Sequence, residues 1–364
     1  MEKINKHNLP FLMAGILGLL SALIGGLMRA GWQFPIVSID LSLLHGPIMI
    51  GGFLGTVISL ERAVALNKRW AYLAPLCTAL GIVALWVTPL SFLAPWLILT
   101  GSLILIIIFV QFQKMKNSFD IFLMNVAAFV WAISNILWIT GWPFNILTPW
   151  WIVFLLLTIS AERIQLSGLG QKSFISTIGF NVALFFVLTA LIFSFIAVAI
   201  TWYFLATASI IFAIWLLIYD VPRYTIRRKE LTKFIAANLL GGYFWLLISG
   251  ILIFIELPLA GGLSYDAVLH SFFIGFVFSM IFGHAPIIFP AIIGSPINYH
   301  PRFYLHFGLL HFSLLFRIIM DMLDWLDGRY WASLLNVIAI LLFLINTVSS
   351  ILGNFSKSRS AALK

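Results

Sequence analysis

The chain has 364 residues, of which 62% are apolar, 9% charged and 16% aromatic, and its formal charge at neutral pH is +9. A soluble domain is nearer half apolar and a quarter charged, so this composition excludes one and indicates a polytopic membrane protein. The basic excess falls at the ends of apolar runs, where it sets topology rather than binding nucleic acid, and the single cysteine, Cys77, excludes an intramolecular disulfide or a cysteine-only metal cluster.

A spanning helix needs about 20 apolar residues. Windows of that kind predict twelve spans. The first six are Leu9–Ala30, Ser42–Val64, Trp70–Leu90, Phe92–Phe112, Phe119–Trp142 and Trp150–Leu169. The second six are Ile175–Phe195, Val198–Tyr219, Leu231–Ile255, Tyr265–Ile292, Phe303–Leu323 and Tyr330–Leu352. Lipid leaves each backbone amide to be satisfied within its own segment, so these windows are helices. They are too long for the alternating strands of an outer-membrane barrel. Lys3 and Lys6 precede the first window, which lacks a small-residue cleavage site and reads as an uncleaved span. The fold class expected is an all-α polytopic membrane protein, one integral domain over 1–364 with no separate soluble domain.

Basic residues assign the sides. Lys3, Lys6, Arg62, Lys68, Arg69, Lys114, Lys116, Arg163 and Lys172 fall on one side, together with Arg223, Arg227, Arg228, Lys229, Lys233, Arg302, Lys357, Arg359 and Lys364. The opposite loops hold only Arg29 and Arg329. Positive residues stay inside, which predicts that both termini are cytoplasmic. The longest polar interval, Asp220–Lys233, reads as a cytoplasmic loop carrying a topology signal.

Faint repetition relates spans two, six and ten. Span two ends Ile58-Ser59-Leu60-Glu61-Arg62 and span six ends Ile159-Ser160-Ala161-Glu162-Arg163. Span two opens Leu44-His45 and span ten opens Leu269-His270. A spacing of four helices is what three four-helix units would give.

Ionisable groups inside spans are costly, which makes them functional hypotheses by default. Span ten carries Asp266, His270 and His284. Its histidines share a face about 21 Å apart along the axis, so one metal ion cannot bind both. Spans two and ten run in the same direction, which puts His45 and His270 at matching depth near the outer surface, each close to an acid, Asp40 or Asp266. Two neutral imidazoles facing each other can ligate a haem iron axially, with a carboxylate holding the outer ring nitrogen. The alternative is that each histidine caps a helix end at the interface.

The cytoplasmic half collects His284 with His306 and His311 of span eleven. His306 and His311 are five residues apart, about 140° around the helix, so both do not point at one ion. His311 is the better partner for His284, and imidazoles suit copper, iron or zinc. A hydrogen-bonded helix pair is the competing reading. Glu61-Arg62 and Glu162-Arg163 end spans two and six on that side, and a cross-pairing would lock the two helices. Arg317 and Asp321, four apart, are expected to pair with each other or with a haem propionate, for which Arg29 is a further partner. No phosphate loop, paired Cys-x-x-Cys or serine nucleophile signature is present.

These residues resemble a known family. The run Leu44-His45-Gly46-Pro47 through Gly55 resembles the second-span histidine segment of the NnrS family. The segment from His270 to Phe282-Gly283-His284 is similar to that family's later histidine helix. The layout of spans two, six and ten is distantly similar to haem–copper oxidase subunit one. It departs in lacking two histidines two apart in span ten, a His-His pair in span seven and any histidine in span six, so an oxidase-type three-histidine copper site cannot be built. The resemblance implies a bacterial cytoplasmic-membrane redox protein with haem, of b type, and copper. Its chemistry would be nitric oxide binding, detoxification or electron transfer, with a quinol or another electron donor. His45, His270 and His284 are the positions that carry over. A proton- or metal-coupled transporter using the buried His and Glu/Arg residues is the second expectation.

Overall fold

In the computed structural model, residues 5–35, 41–88, 91–167, 173–257, 259 and 261–362 are described, with side chains as far as Gly353 apart from Ser167. Twelve helices among them are long and apolar enough to cross a membrane. They are α1 (Leu9–Arg29), α2 (Leu41–Leu66), α3 (Arg69–Val87), α4 (Leu93–Met115), α5 (Phe119–Ile139) and α6 (Phe144–Leu166). The remainder are α7 (Phe174–Phe193), α8 (Val198–Tyr219), α9 (Glu230–Glu256), α10 (Gly262–Ile293), α11 (Phe303–Met322) and α12 (Leu326–Gly353). No strand occurs among the described residues. The protein is an all-α, multi-pass membrane protein, as its hydropathy requires.

Contacts divide the chain into two compact units, Asn5–Leu166 and Ser167–Lys364, of six spans each. The sequence relation of spans two, six and ten suggests three units of four. The contacts group the helices otherwise, because short loops pack neighbours as antiparallel pairs. In the first unit α3 packs on α4 and α4 on α5; in the second, α7 packs on α8, α8 on α9, and α11 on α12.

Two helices depart from α geometry at corresponding places. In α2, Ile48–Leu54 forms a π-helical stretch directly after His45-Gly46-Pro47. In α10, Ser271–Phe278 does the same directly after His270. A wider turn leaves main-chain groups displaced from the regular ladder, and such stretches concentrate at functional sites. Pro47 accounts for part of the first, since it has no N–H to continue the ladder. Asn67 at φ 52° ends α2, and Gly294 at φ 82° ends α10 in the left-handed region.

Glycine lets helices close on aromatic rings. A Cβ on Gly55 would lie 2.6 Å from Cζ2 of Trp131, a fully buried ring stacked 5.0 Å from Phe154. A Cβ on Gly275 would lie 2.5 Å from Cβ of Trp245. Small residues at crossings are the means by which membrane helices pack without a hydrophobic driving force.

Candidate functional site

In the first unit, α1 and α2 position His45. Its Nδ1 donates to the Ala22 carbonyl of α1 at 2.6 Å. Because a carbonyl only accepts, the ring proton sits on Nδ1 and the ring lone pair on Nε2. The ring rests on Gly26, where an added Cβ would come 3.0 Å from its Cε1. Near it, Arg29 of α1 donates to the Ser42 carbonyl at 3.3 Å. The expected acid beside this histidine, Asp40, lies outside the described residues.

The far end of α2 carries the charge pairs. Arg62 donates to Oε1 of Glu162 on α6 at 2.5 Å, and also lies 3.2 Å from Glu61 beside it. Arg62 is 8% exposed and Arg163 5%. The pairing across α2 and α6 is therefore present, with the adjacent acid sharing the same guanidinium. Between these charges and the helix centres, the Ser59 and Ser160 hydroxyls are buried without a hydrogen bond.

In the second unit a buried ionic network surrounds His270. Its Nδ1 donates to the Asp266 carbonyl one turn earlier at 2.9 Å, with the Asp266 carboxylate 3.3 Å away. Here too the lone pair is on Nε2. The Asp266 carboxylate accepts Nε and Nη2 of Arg317 from α11 at 2.8 and 3.1 Å, and Nη2 of Arg329 from α12 at 3.1 Å. Arg317 extends to Asn336 at 3.4 Å, and Asn336 donates to Ser313 at 2.7 Å. Asp321 lies within ion-pair distance of Arg329 Nε, at 3.2 Å, and both of its buried carboxylate oxygens are without a hydrogen bond. Arg317 thus pairs with neither Asp321 nor a carboxylate of its own helix. Its planar fork needs two oxygens facing it, and only Asp266, across the α10–α11 contact, presents them.

The remaining histidines separate by tautomer. His284 donates from Nδ1 to the Met280 carbonyl at 2.8 Å and is 5% exposed, which again puts its lone pair on Nε2. His306 accepts at Nδ1 from the Asn346 amide at 3.0 Å. It sits among the rings of Phe234, Phe282, Phe303 and Phe343, with Nε2 buried and without a hydrogen bond. His311 accepts at Nδ1 from the Trp245 indole at 2.8 Å, and its Nε2 is likewise buried without a partner, against Gly241. In both, the only lone pair is already used, so neither offers one to a metal. Among the described residues no group of three or more His, Cys, Asp or Glu could hold a metal ion.

Four participants are not singled out as site residues by the sequence: Arg329, Asn336, Trp245 and Asn346. Arg329 carried a signal, being one of two basic residues on its side of the membrane. The other three become visible only when helices distant in sequence are packed together.

A family model described as "Domain of unknown function (DUF8744)" matches residues 8–352 of the chain. No curated protein and no solved structure matches it.

Proposed function

The chain belongs to the DUF8744 family, and from the residues of its two units we propose that it is a haem-bearing membrane redox protein of NnrS type. One observation carries the reading: His45 and His270 each donate Nδ1–H to a main-chain carbonyl, at 2.6 and 2.9 Å. That is the tautomer a haem-ligating imidazole would need, with Nδ1 held from behind and the lone pair on Nε2. The donor set fits the group. His45 in the first unit and His270 in the second would be the haem ligands, His284 with the same tautomer would serve a second metal or haem, and Asp266 backs the His270 ring. The cofactor would supply an iron centre that binds nitric oxide or passes an electron. The protein's own part is to fix the ring orientation through Ala22 and Asp266 and to hold positive charge near by through Arg317 and Arg329. This reading includes a bacterial cytoplasmic membrane, cytoplasmic termini and a quinol or similar donor.

The test is the visible spectrum of the purified protein together with metal analysis. A Soret band that disappears in His45→Ala and in His270→Ala is the expected result. Colourless, metal-free protein refutes it.

The network around Asp321 favours a second reading, a proton- or metal-coupled transporter. A buried carboxylate without a hydrogen-bond donor is suited to accept a proton in a transport path. Colourless protein that acidifies or alkalises vesicles on addition of substrate would decide for this reading.

A further inference from the structure

The polar interval after α8 is far more ordered than a topology signal requires. Residues 223–233 carry Arg223, Arg227, Arg228, Lys229 and Lys233 against the single acid Glu230, five positive charges and one negative, a net of +4. All five cations are exposed. Charge alone sets membrane orientation, so such a loop needs no fixed shape. This one is held from below and along its length.

From below, Asp220 is fully buried at the end of α8. One carboxylate oxygen accepts the Val221 N–H at 2.7 Å and the other accepts the hydroxyl of Tyr243, a fully buried residue of α9. Along the backbone, Tyr224 and Thr225 N–H donate to the Val221 carbonyl at 2.9 and 3.1 Å, Ile226 to Pro222 at 2.9 Å, and Arg228 to Thr225 at 2.9 Å. The chain then turns at Glu230, whose φ of 52° lies in the left-handed region that a glutamate rarely occupies. Each of these contacts fixes where the arginines emerge.

The exposed surface has two chemistries side by side. Tyr224 is 61% exposed, and the Arg223 guanidinium lies 4.4 Å from its ring centroid. An aromatic ring with a polar tip suits the headgroup level of a bilayer. Arginine forks match the paired oxygens of a phosphate. Basic residues next to a membrane helix attract anionic lipids, about fivefold in local affinity for each charge near the surface.

We propose that residues 220–233 form a braced binding platform for the phosphodiester headgroups of anionic phospholipid in the adjoining leaflet. Arg223, Arg227, Arg228 and Lys229 contact the headgroup. Tyr224 lies in the interface, and the Asp220–Tyr243 brace keeps the cations together. The platform does not depend on whether the protein holds haem.

Native mass spectrometry of the full-length protein, released from detergent with equimolar phosphatidylcholine and phosphatidylglycerol, tests this. Phosphatidylglycerol should be retained preferentially, and the triple variant R227Q/R228Q/K229Q should lose at least about fivefold of that preference. Those residues are exposed, so the variant should still fold. Lys114→Gln with Lys116→Gln, at an exposed basic loop end elsewhere, should leave the preference intact. Tyr243→Phe removes the brace but no charge, and should weaken the preference. The proposal is overturned if the triple variant retains phosphatidylglycerol as the wild type does, or if the Lys114/Lys116 variant loses it equally. Unchanged preference in a folded Tyr243→Phe protein overturns the braced arrangement. Equal thermal protection by inorganic phosphate and by phosphatidylglycerol would overturn the lipid assignment.

Discussion

Arg317 closes its guanidinium on Asp266 with two bonds, Nε to Oδ2 at 2.8 Å and Nη2 to Oδ1 at 3.1 Å, and both side chains are at most 10% exposed. The same carboxylate takes a third bond from Arg329, so one acid on α10 joins α11 and α12. It also lies beside the His270 ring. Structure and proposed chemistry therefore meet at a single side chain: the residue that ties three helices also sets the orientation of an imidazole.

Asp266→Asn should cost about 3–5 kcal/mol, because it leaves two buried guanidinium groups with Asp321 as their remaining poorly aligned acid. Thermal or denaturant unfolding of the purified protein measures it. The double variant Asp266→Asn with Arg317→Gln should cost less than the sum of the single changes, since the second removes a stranded charge. Additive losses would mean that the bidentate contact does not form in the membrane.

At the other end of α2, substitutions of the two partners should differ. Arg62→Gln removes the buried cation that Glu61 and Glu162 share, at a cost of about 3–5 kcal/mol. Glu162→Gln keeps Arg62 beside Glu61 and removes one charged hydrogen bond, a loss of about 1.5–3 kcal/mol. The order of the two in unfolding experiments checks the shared arrangement, and equal or reversed losses contradict it.

Much of the fold is legible in the chain because the bilayer constrains it so tightly. Runs of about 20 apolar residues have one solution in lipid, and the observed helices follow the expected windows closely. The largest shift at a helix start is in α6, which begins at Phe144 rather than after Pro149. The proline sits within the helix and forgoes one main-chain hydrogen bond rather than ending it. The π-helical stretches after His45 and His270 have no periodic signature, since the apolar pattern is unbroken through them. Histidine chemistry was legible only in part. Whether an imidazole keeps its Nε2 lone pair depends on its Nδ1 partner. For His45 that partner is Ala22, 23 residues away, and for His311 it is Trp245, 66 residues away. His270 and His284 take theirs from the carbonyl four residues earlier, which any helix supplies. Asp266 was readable as the acid behind His270 for the same reason, while its grip on Arg317 and Arg329 required three helices to be placed together.

Two glycines should prove intolerant of even a methyl group. Alanine is favoured over glycine in a helix by about 1 kcal/mol. At Gly55 the added carbon meets Trp131, and at Gly275 it meets Trp245 at the Cβ, an atom that no rotamer change can move. Overpacking of this kind costs about 1–3 kcal/mol. Gly275→Ala should therefore be destabilising on balance, and more so than Gly308→Ala, where nothing lies within 4 Å. Unfolding midpoints of the variants measure this, and a stabilised Gly275→Ala would show that α9 and α10 do not approach so closely.

The tautomers give the sharpest division among the five histidines of the spans. His306 and His311 each have the Nδ1 lone pair occupied, by Asn346 and Trp245, and Nε2–H enclosed by rings or by helix backbone. If haem is bound as proposed, His306→Gln and His311→Gln should retain the Soret band at wild-type intensity, with loss confined to stability. His45→Ala and His270→Ala should each abolish it, and imidazole added to either variant should restore part of it by taking the place of the lost ring. Glutamine at 306 keeps a side chain able to accept from Asn346, so the protein should remain folded and the comparison valid. A Soret band lost in His306→Gln or His311→Gln but kept in His45→Ala would move the cofactor to the α9–α11 side of the second unit and remove the role proposed for Ala22 and Asp266.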